Sequence, residues 1–352
     1  MGPDTSSAAD EDLRRLLRGE SSLAACAQAG QAGDGSQLRA EVFAQTAWEV
    51  RHAEVVRDAV DALASAPAAP LLLKGTALAY GLYPAPFLRS RGDTDILVPQ
   101  HRAAAAHQAL VERGFAPQDG ISGEFVSYQR NYRRSCSDGT THVIDLHWKI
   151  NNSQLLSRLF THEELWAQSQ PLPALGAAAR APSYLHSLLI ACMHRATHRV
   201  APYYVDHEAH HDPDRLIWLW DVHLLAGVLS PAERQTLPSA ADRKGLLCLV
   251  QDSLAAAATA FASTAAADLA STLPADSAPS AVARYLDSPW LKQQWMDVLA
   301  LPDTRSRLRF LRETLFPDAA YLRGKYGDSA SAIGWLHARR TIAGLRSRLI
   351  GK

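Results

Sequence analysis

LLLKGTALAYGLYPAPFLRSRGDTDILV, from Leu71 to Val98, is the stretch whose reading decides the fold. It divides into a short apolar strand (Leu71 to Leu73), a Lys-Gly-Thr turn, a helix starting near Thr76, a loop of Pro and Arg, and a second strand carrying Asp93-Thr94-Asp95. A strand that feeds a Gly-containing turn at a helix N-terminus presents outward backbone N–H groups and the positive end of the helix dipole, which together suit a phosphate. Gly75 lets backbone approach closely, and the Thr76 hydroxyl is available to cap the helix or to donate to a phosphate oxygen. Alternate strand residues share a face, so Asp93 and Asp95 point the same way. Two carboxylates aimed at one place repel unless a cation lies between them, and hard divalent ions prefer oxygen ligands. Lys74 could offset phosphate charge or be a solvated strand end, while Arg89 and Arg91 suit either a phosphate or an ordinary ion pair with the aspartates. A metal–nucleotide site is the expectation.

Further along, His142 to Trp148 reads as a strand, paired across a Ser137-Asp138-Gly139 turn with a strand over Phe125 to Tyr132. The ordered set Lys74-Gly75-Thr76, then Arg91-Gly92-Asp93-Thr94-Asp95-Ile96-Leu97-Val98, then Val143-Ile144-Asp145-Leu146-His147-Trp148 resembles the polymerase-beta-like nucleotidyltransferase superfamily. Within it, the chain is similar to the bacterial proteins grouped as uncharacterised nucleotidyltransferases. The resemblance runs over residues 40 to 345, with its specific part in those three motifs. Gly75-Thr76 stands where a Gly-Gly or Gly-Ser pair is usual. The resemblance implies that Asp93, Asp95 and Asp145 hold two Mg²⁺ ions, one on the triphosphate of an NTP and one on the attacking hydroxyl. Asp145 is then the member poised as general base. It also implies an α/β core with a mixed sheet flanked by helices, an all-helical C-terminal domain, and an active site in the cleft between them. The expected activity is transfer of a nucleoside monophosphate from an NTP to an acceptor hydroxyl, with pyrophosphate leaving. A protein- or tRNA-modifying, toxin-like transferase and a catalytically silent nucleotide-binding module are the alternatives.

The rest of the chain frames this centre. We expect a polar and helical N-terminal segment (1–36), a nucleotidyltransferase core (37–175) and a helical C-terminal domain (176–352). Gln37 to Leu63 reads as a helix with one apolar face (Phe43, Ala47, Val50, Ala53, Val56, Val60, Leu63). Asp12 to Leu23 reads as an earlier helix, and Pro99 to Arg113 as a helix ended by Gly114. Beyond Leu155 the patterns are helical almost throughout, with long helices expected over Arg243 to Ala267 and Ala281 to Val298.

Composition narrows the partners. Lys plus Arg equals Asp plus Glu at 36 each, so no global field selects nucleic acid or a membrane. From Arg305 onward, however, 11 basic residues face 3 acidic ones, a net of 11 − 3 = +8. That excess would suit a polyanionic acceptor such as RNA, but the aromatic residues there form no base-stacking pattern, and solvated helix faces account for it as well. The four cysteines are scattered without a Cys-x-x-Cys pair, and no segment has the basic and apolar run of a signal peptide or the length of a membrane span, so a cytoplasmic protein is expected. His194 and His198, four apart on one helix, raise the question of zinc with His207, His210 and His211, or of a place lining the cleft.

Overall fold

The structure is a computed structural model and describes residues 35–121, 123–200, 203–205, 208–210, 214–274, 279–326 and 332–350. The expected helix at Asp12 to Leu23, the rest of the N-terminal segment to residue 34, and His207 and His211 lie outside them. The apolar pattern before the first strand forms a long helix, α1 (Gly35–Ser65). Its buried face starts at Glu49 and runs through His52, Val56, Ala59, Val60 and Leu63. Phe43 and Val50 stay exposed, Val50 because it lies off the face that Glu49, His52 and Ala53 bury. Then follow β1 (Leu71–Leu72), α2 (Lys74–Gly81), β2 (Asp93–Leu97), α3 (Ala103–Glu112), β3 (Ala116–Pro117), β4 (Gln129–Ser135) and β5 (Thr141–His147).

The five strands form one mixed sheet in the order β1-β2-β5-β4-β3. β2 and β5 are parallel, and the other neighbours are antiparallel. Since side chains alternate across a sheet, its two faces differ sharply. Leu72, Ile96, Ile144 and Leu146 bury one face with Val56, Val60 and Leu63 of α1 and Leu110 of α3. Leu71, Leu73 and Leu97 turn to the other face, where they join one continuous core with a helical layer. That layer contains α5 (Tyr184–His198), α6 (Leu216–Val228) and α8 (Leu247–Phe261). The sheet's second face and the helical layer thus bracket whatever polar residues β2 and β5 carry between them.

The remaining elements are α4 (His162–Ala167), α7 (Pro231–Arg243), α9 (Thr264–Ser271) and α10 to α14, which start at Ala281, Trp290, Thr304, Ala319 and Ile333. Two two-stranded hairpins, β6–β7 (Gln170–Pro171 with Arg180–Ala181) and β8–β9 (Tyr203–Val205 with Glu208–His210), interrupt the helices. The long helix expected over Arg243 to Ala267 is two helices, because Ala262 takes a left-handed backbone (φ +48°) and Ser263 caps the next one through the Ala266 amide. Ala281 to Val298 likewise breaks, at Pro289. Among the described residues no helix is long and apolar enough to cross a membrane. The mixed sheet and the helical C-terminal region agree with the expected fold class.

Candidate active site

Asp93 and Asp95 lie on β2, and the register pairs Asp95 with Asp145 of β5 and Leu97 with His147. Asp93, Asp95, Asp145 and His147 therefore share the face that meets the helical layer. Ligand atoms of Asp95, Asp145 and His147 all lie within 4.8 Å of one another, and all three residues are buried. Asp93 is on the same face but outside this group, and it is exposed.

The charges are arranged unevenly. Asp95 Oδ1 accepts a hydrogen bond from Lys74 Nζ at 2.8 Å and contacts His147 Nε2 at 2.8 Å. Burial alone would raise the Asp95 carboxyl, but the Lys74 ammonium and His147 hold it well below the usual carboxylate range. Asp145 gains only the charge of Lys74, without its hydrogen bond. Burial, then the charges of Asp93 and Asp95, push its carboxyl up to about 8, and its Oδ1 is buried without a hydrogen-bond partner. Asp93 is also raised, by the surrounding protein and by Asp95. An unpartnered buried carboxylate oxygen beside a second carboxylate and an imidazole is the donor set a divalent cation fits, and leaving it bare is costly. Lys74 meanwhile holds a left-handed backbone (φ +46°) at the first residue of α2, a conformation that costs a non-glycine residue about 1 kcal/mol.

The turn beside these carboxylates departs from expectation in one respect. The cap of α2 is Leu73, with no side-chain cap, so Thr76 lies inside the first turn and does not cap the helix. Its hydroxyl instead meets Thr94 Oγ1 at 2.8 Å and accepts from Arg91 Nε at 3.0 Å. Arg91 goes on to pair with Glu49 at 2.6 Å, and Tyr80 donates to the same Glu49 oxygen at 2.5 Å. Arg89 is buried, and its guanidinium fork closes on Asp221 of α6, Nε to Oδ1 at 2.9 Å and Nη2 to Oδ2 at 2.8 Å. Tyr83 donates to that carboxylate at 2.7 Å. Both arginines thus have protein partners, and Arg89 ties the Pro/Arg loop to the helical layer. A Cβ on Gly75 would meet the Arg91 stem at 3.4 Å and Arg89 Nη1 at 3.9 Å, both ordinary contacts, so the fold itself does not demand glycine there.

A pocket between the sheet and the helical layer opens next to Lys74, walled by Leu73, Leu78, Arg89, Ile190, His194 and Trp218. His194 therefore lines the cleft. Its ring stands edge-on to Trp218 at 5.0 Å, and burial, then Lys74 and His198, keep it neutral well below the ordinary histidine range. His198 packs against His194 at 4.5 Å. Among the described residues these two belong to no metal-ligating group.

His147 is the ligand candidate that the sequence reading passed over, although it lies two residues after Asp145 and the same alternation that paired Asp93 with Asp95 would have found it. His52 was also missed. It sits on α1 beneath the sheet, stacked on Trp48 at 4.3 Å, with Nε2 at 2.8 Å from Thr94 Oγ1. Burial, then Arg91 and His142, lower its pKa well below the ordinary value. The unfolded chain then takes up the His52 proton first as pH falls, so this contribution to stability is present above pH 6.5 and is lost below it. Relative to a His52→Phe variant, the wild-type chain should lose about 1–2 kcal/mol between pH 7 and pH 5. Urea unfolding of both proteins at the two pH values measures this, and a difference independent of pH would refute it.

The chain matches the model of a protein family described as Uncharacterised nucleotidyltransferase over residues 27–262, a span holding every site residue named above. No curated protein matches it.

Proposed function

Since the chain belongs to the uncharacterised nucleotidyltransferase family, we propose that it moves a nucleoside monophosphate from an NTP to an acceptor hydroxyl, with Mg²⁺ as the divalent ion and pyrophosphate as the leaving product. The observation that carries this reading is the unpartnered, buried Asp145 Oδ1 grouped with Asp95 and His147 on one sheet face, beside the start of α2. When bound, Mg²⁺ supplies Lewis-acid stabilisation of the phosphoryl oxygens and makes the acceptor hydroxyl easier to ionise.

The protein's own part is placement. Asp95, Asp145 and His147 would hold one ion, and the exposed Asp93 supplies a further carboxylate toward a second. The backbone N–H groups of Gly75 and Thr76 face the triphosphate, and Lys74 offsets its charge. Asp145 is the group placed to take the proton of the attacking hydroxyl. The pocket walled by His194 and Trp218 lies beside Lys74, next to the same cleft. Arg89 and Arg91, whose sequence leaves phosphate and ion-pair roles equally open, act here by fixing the loop that delivers β2.

Incubation with each labelled NTP, Mg²⁺ and a bacterial lysate tests the proposal. Label should pass to one lysate fraction with release of pyrophosphate, and EDTA should abolish it. No labelling and no NTP binding with any of the four nucleotides would overturn the proposal.

Gly75→Ala separates cradle from scaffold. An Ala in the first helical turn makes only ordinary contacts and has better helix propensity, so the melting temperature should hold or rise slightly. The added methyl should nevertheless raise the KM for NTP about tenfold or more, by holding phosphate off the backbone. Unchanged steady-state kinetics would remove Gly75 from the site.

A further inference from the structure

Behind the carboxylate face runs a chain of hydrogen bonds whose direction is settled at both ends. At the hairpin between β4 and β5, Thr140 Oγ1 donates to Asp138 Oδ1 at 2.6 Å, since an ionised carboxylate can only accept. Asp138 is kept ionised by its bonds from Thr140 and Arg51. With its single proton used there, Thr140 must accept from His142 Nε2, which lies 3.1 Å away. Neutral His142 then presents Nδ1 as an acceptor, 3.1 Å from His52 Nδ1, so His52 carries its proton on Nδ1. His52 Nε2 is left to accept from Thr94 Oγ1 at 2.8 Å. Thr94, having donated, accepts from Thr76 at 2.8 Å. Thr76 in turn accepts from Arg91 Nε at 3.0 Å, and a guanidinium can only donate. Each hydroxyl and each ring gives one proton onward, and no member is free to reverse alone.

We propose that Thr94, His52, His142 and Thr140 are positioning residues for the active site: one relay that fixes the spacing between β2, which carries Asp93 and Asp95, and the α2 turn that carries Gly75 and Thr76. Thr94 sits between the two aspartates in sequence and points to the opposite face, so its hydroxyl can hold the strand without touching substrate. Trp48 packs on both imidazoles, at 4.3 and 5.3 Å, and leaves the pair no room to turn away. The hairpin tip at Asp138 to Thr140 is thereby coupled to the α2 turn through five hydrogen bonds. The assignment of that turn as the phosphate cradle rests on the proposed nucleotidyl transfer, but the relay itself does not.

Two measurements on the full chain test it. With ¹⁵N-histidine labelling at pH 7.5, long-range ¹H–¹⁵N correlation should show two neutral rings, His52 protonated on Nδ1 and His142 on Nε2. The reverse tautomers, or a protonated ring, would overturn the relay. Thr94→Val and Thr140→Val should each shift the His52 nitrogen resonances and the Gly75 and Asp95 amide resonances, and Thr94→Ser should restore them. Mg–ATP affinity should fall about tenfold in Thr94→Val and about threefold in Thr140→Val, and recover in Thr94→Ser. Unmoved Gly75 and Asp95 amides in both valine variants would refute the positioning role. If the wild-type chain binds no NTP at all, the transfer reading fails, while the tautomers and amide shifts still decide the relay.

Discussion

Asp145→Asn is expected to abolish transfer, by about 1,000-fold or more, while the variant melts higher than the wild-type chain in EDTA. The two effects share one cause. Asp145 is buried, has an unpartnered Oδ1, and meets the charges of Asp93 and Asp95, with Lys74 already committed to Asp95. Without a divalent ion the folded chain must either bear this repulsion or hold a proton that the unfolded chain does not, and both cost stability. Asparagine keeps the shape, removes the charge, and can donate a hydrogen bond where the carboxylate cannot. A gain on the order of 1–3 kcal/mol in EDTA follows. Adding Mg²⁺ should then raise the melting temperature of the wild-type chain alone, since a ligand at about 100 times its Kd stabilises by roughly 2.7 kcal/mol. Calorimetry with and without Mg²⁺, beside the labelled-NTP assay, gives both readings. A variant that melts lower than wild type in EDTA and still transfers label would remove Asp145 from the centre.

The second large effect belongs to Asp221. Its carboxylate is buried in α6, accepts the Arg89 fork at 2.9 and 2.8 Å, and accepts the Tyr83 hydroxyl at 2.7 Å. Replacing it with leucine strands a buried guanidinium, and the loss should be about 3–5 kcal/mol. Removing both charges in an Arg89→Leu/Asp221→Leu double variant should cost less than the sum of the single substitutions, because neither charge is then left alone. Urea unfolding of the four proteins closes the cycle. Additive losses would mean that Arg89 and Asp221 do not depend on each other. Tight Mg–ATP binding retained by a folded Arg89→Leu chain would show that Arg89 is a strut and not a phosphate ligand.

What the amino-acid pattern reveals about this centre follows physical range. Asp93 and Asp95 could be placed on one face because a period of two is local. Asp145 was reached through the three ordered motifs it shares with a known superfamily, since nothing local connects residues 95 and 145. The partners of Arg89 and Arg91 were out of reach: Asp221 and Glu49 lie 132 and 42 positions away, and an Arg beside two aspartates gives no sign that it will turn elsewhere. The strand expected over Phe125 to Tyr132 lies at Gln129–Ser135. Its sequence, QRNYRRS, has a single apolar residue at its centre, so alternation could not locate its ends. Ala262 ended a helix without glycine or proline, and therefore without a signal. His147 was different, because its signal was local and present.

Fidelity of pairing between β2 and β5 is the remaining consequence of the sheet. Sliding β5 by one residue would turn Asp145 and His147 toward α1 and bring Ile144 and Leu146 among the carboxylates. What chiefly forbids the slip is apolar: Ile144 and Leu146 are buried in one cluster with Val56, Val60 and Leu110, and the single His147–Asp95 contact adds little beside it. A substitution such as Ile144→Thr, far from any substrate and on the wrong side of the sheet, would therefore act on the chemistry by loosening alignment. The hydrophobic layer beneath serves as the gauge that keeps the polar layer above in step.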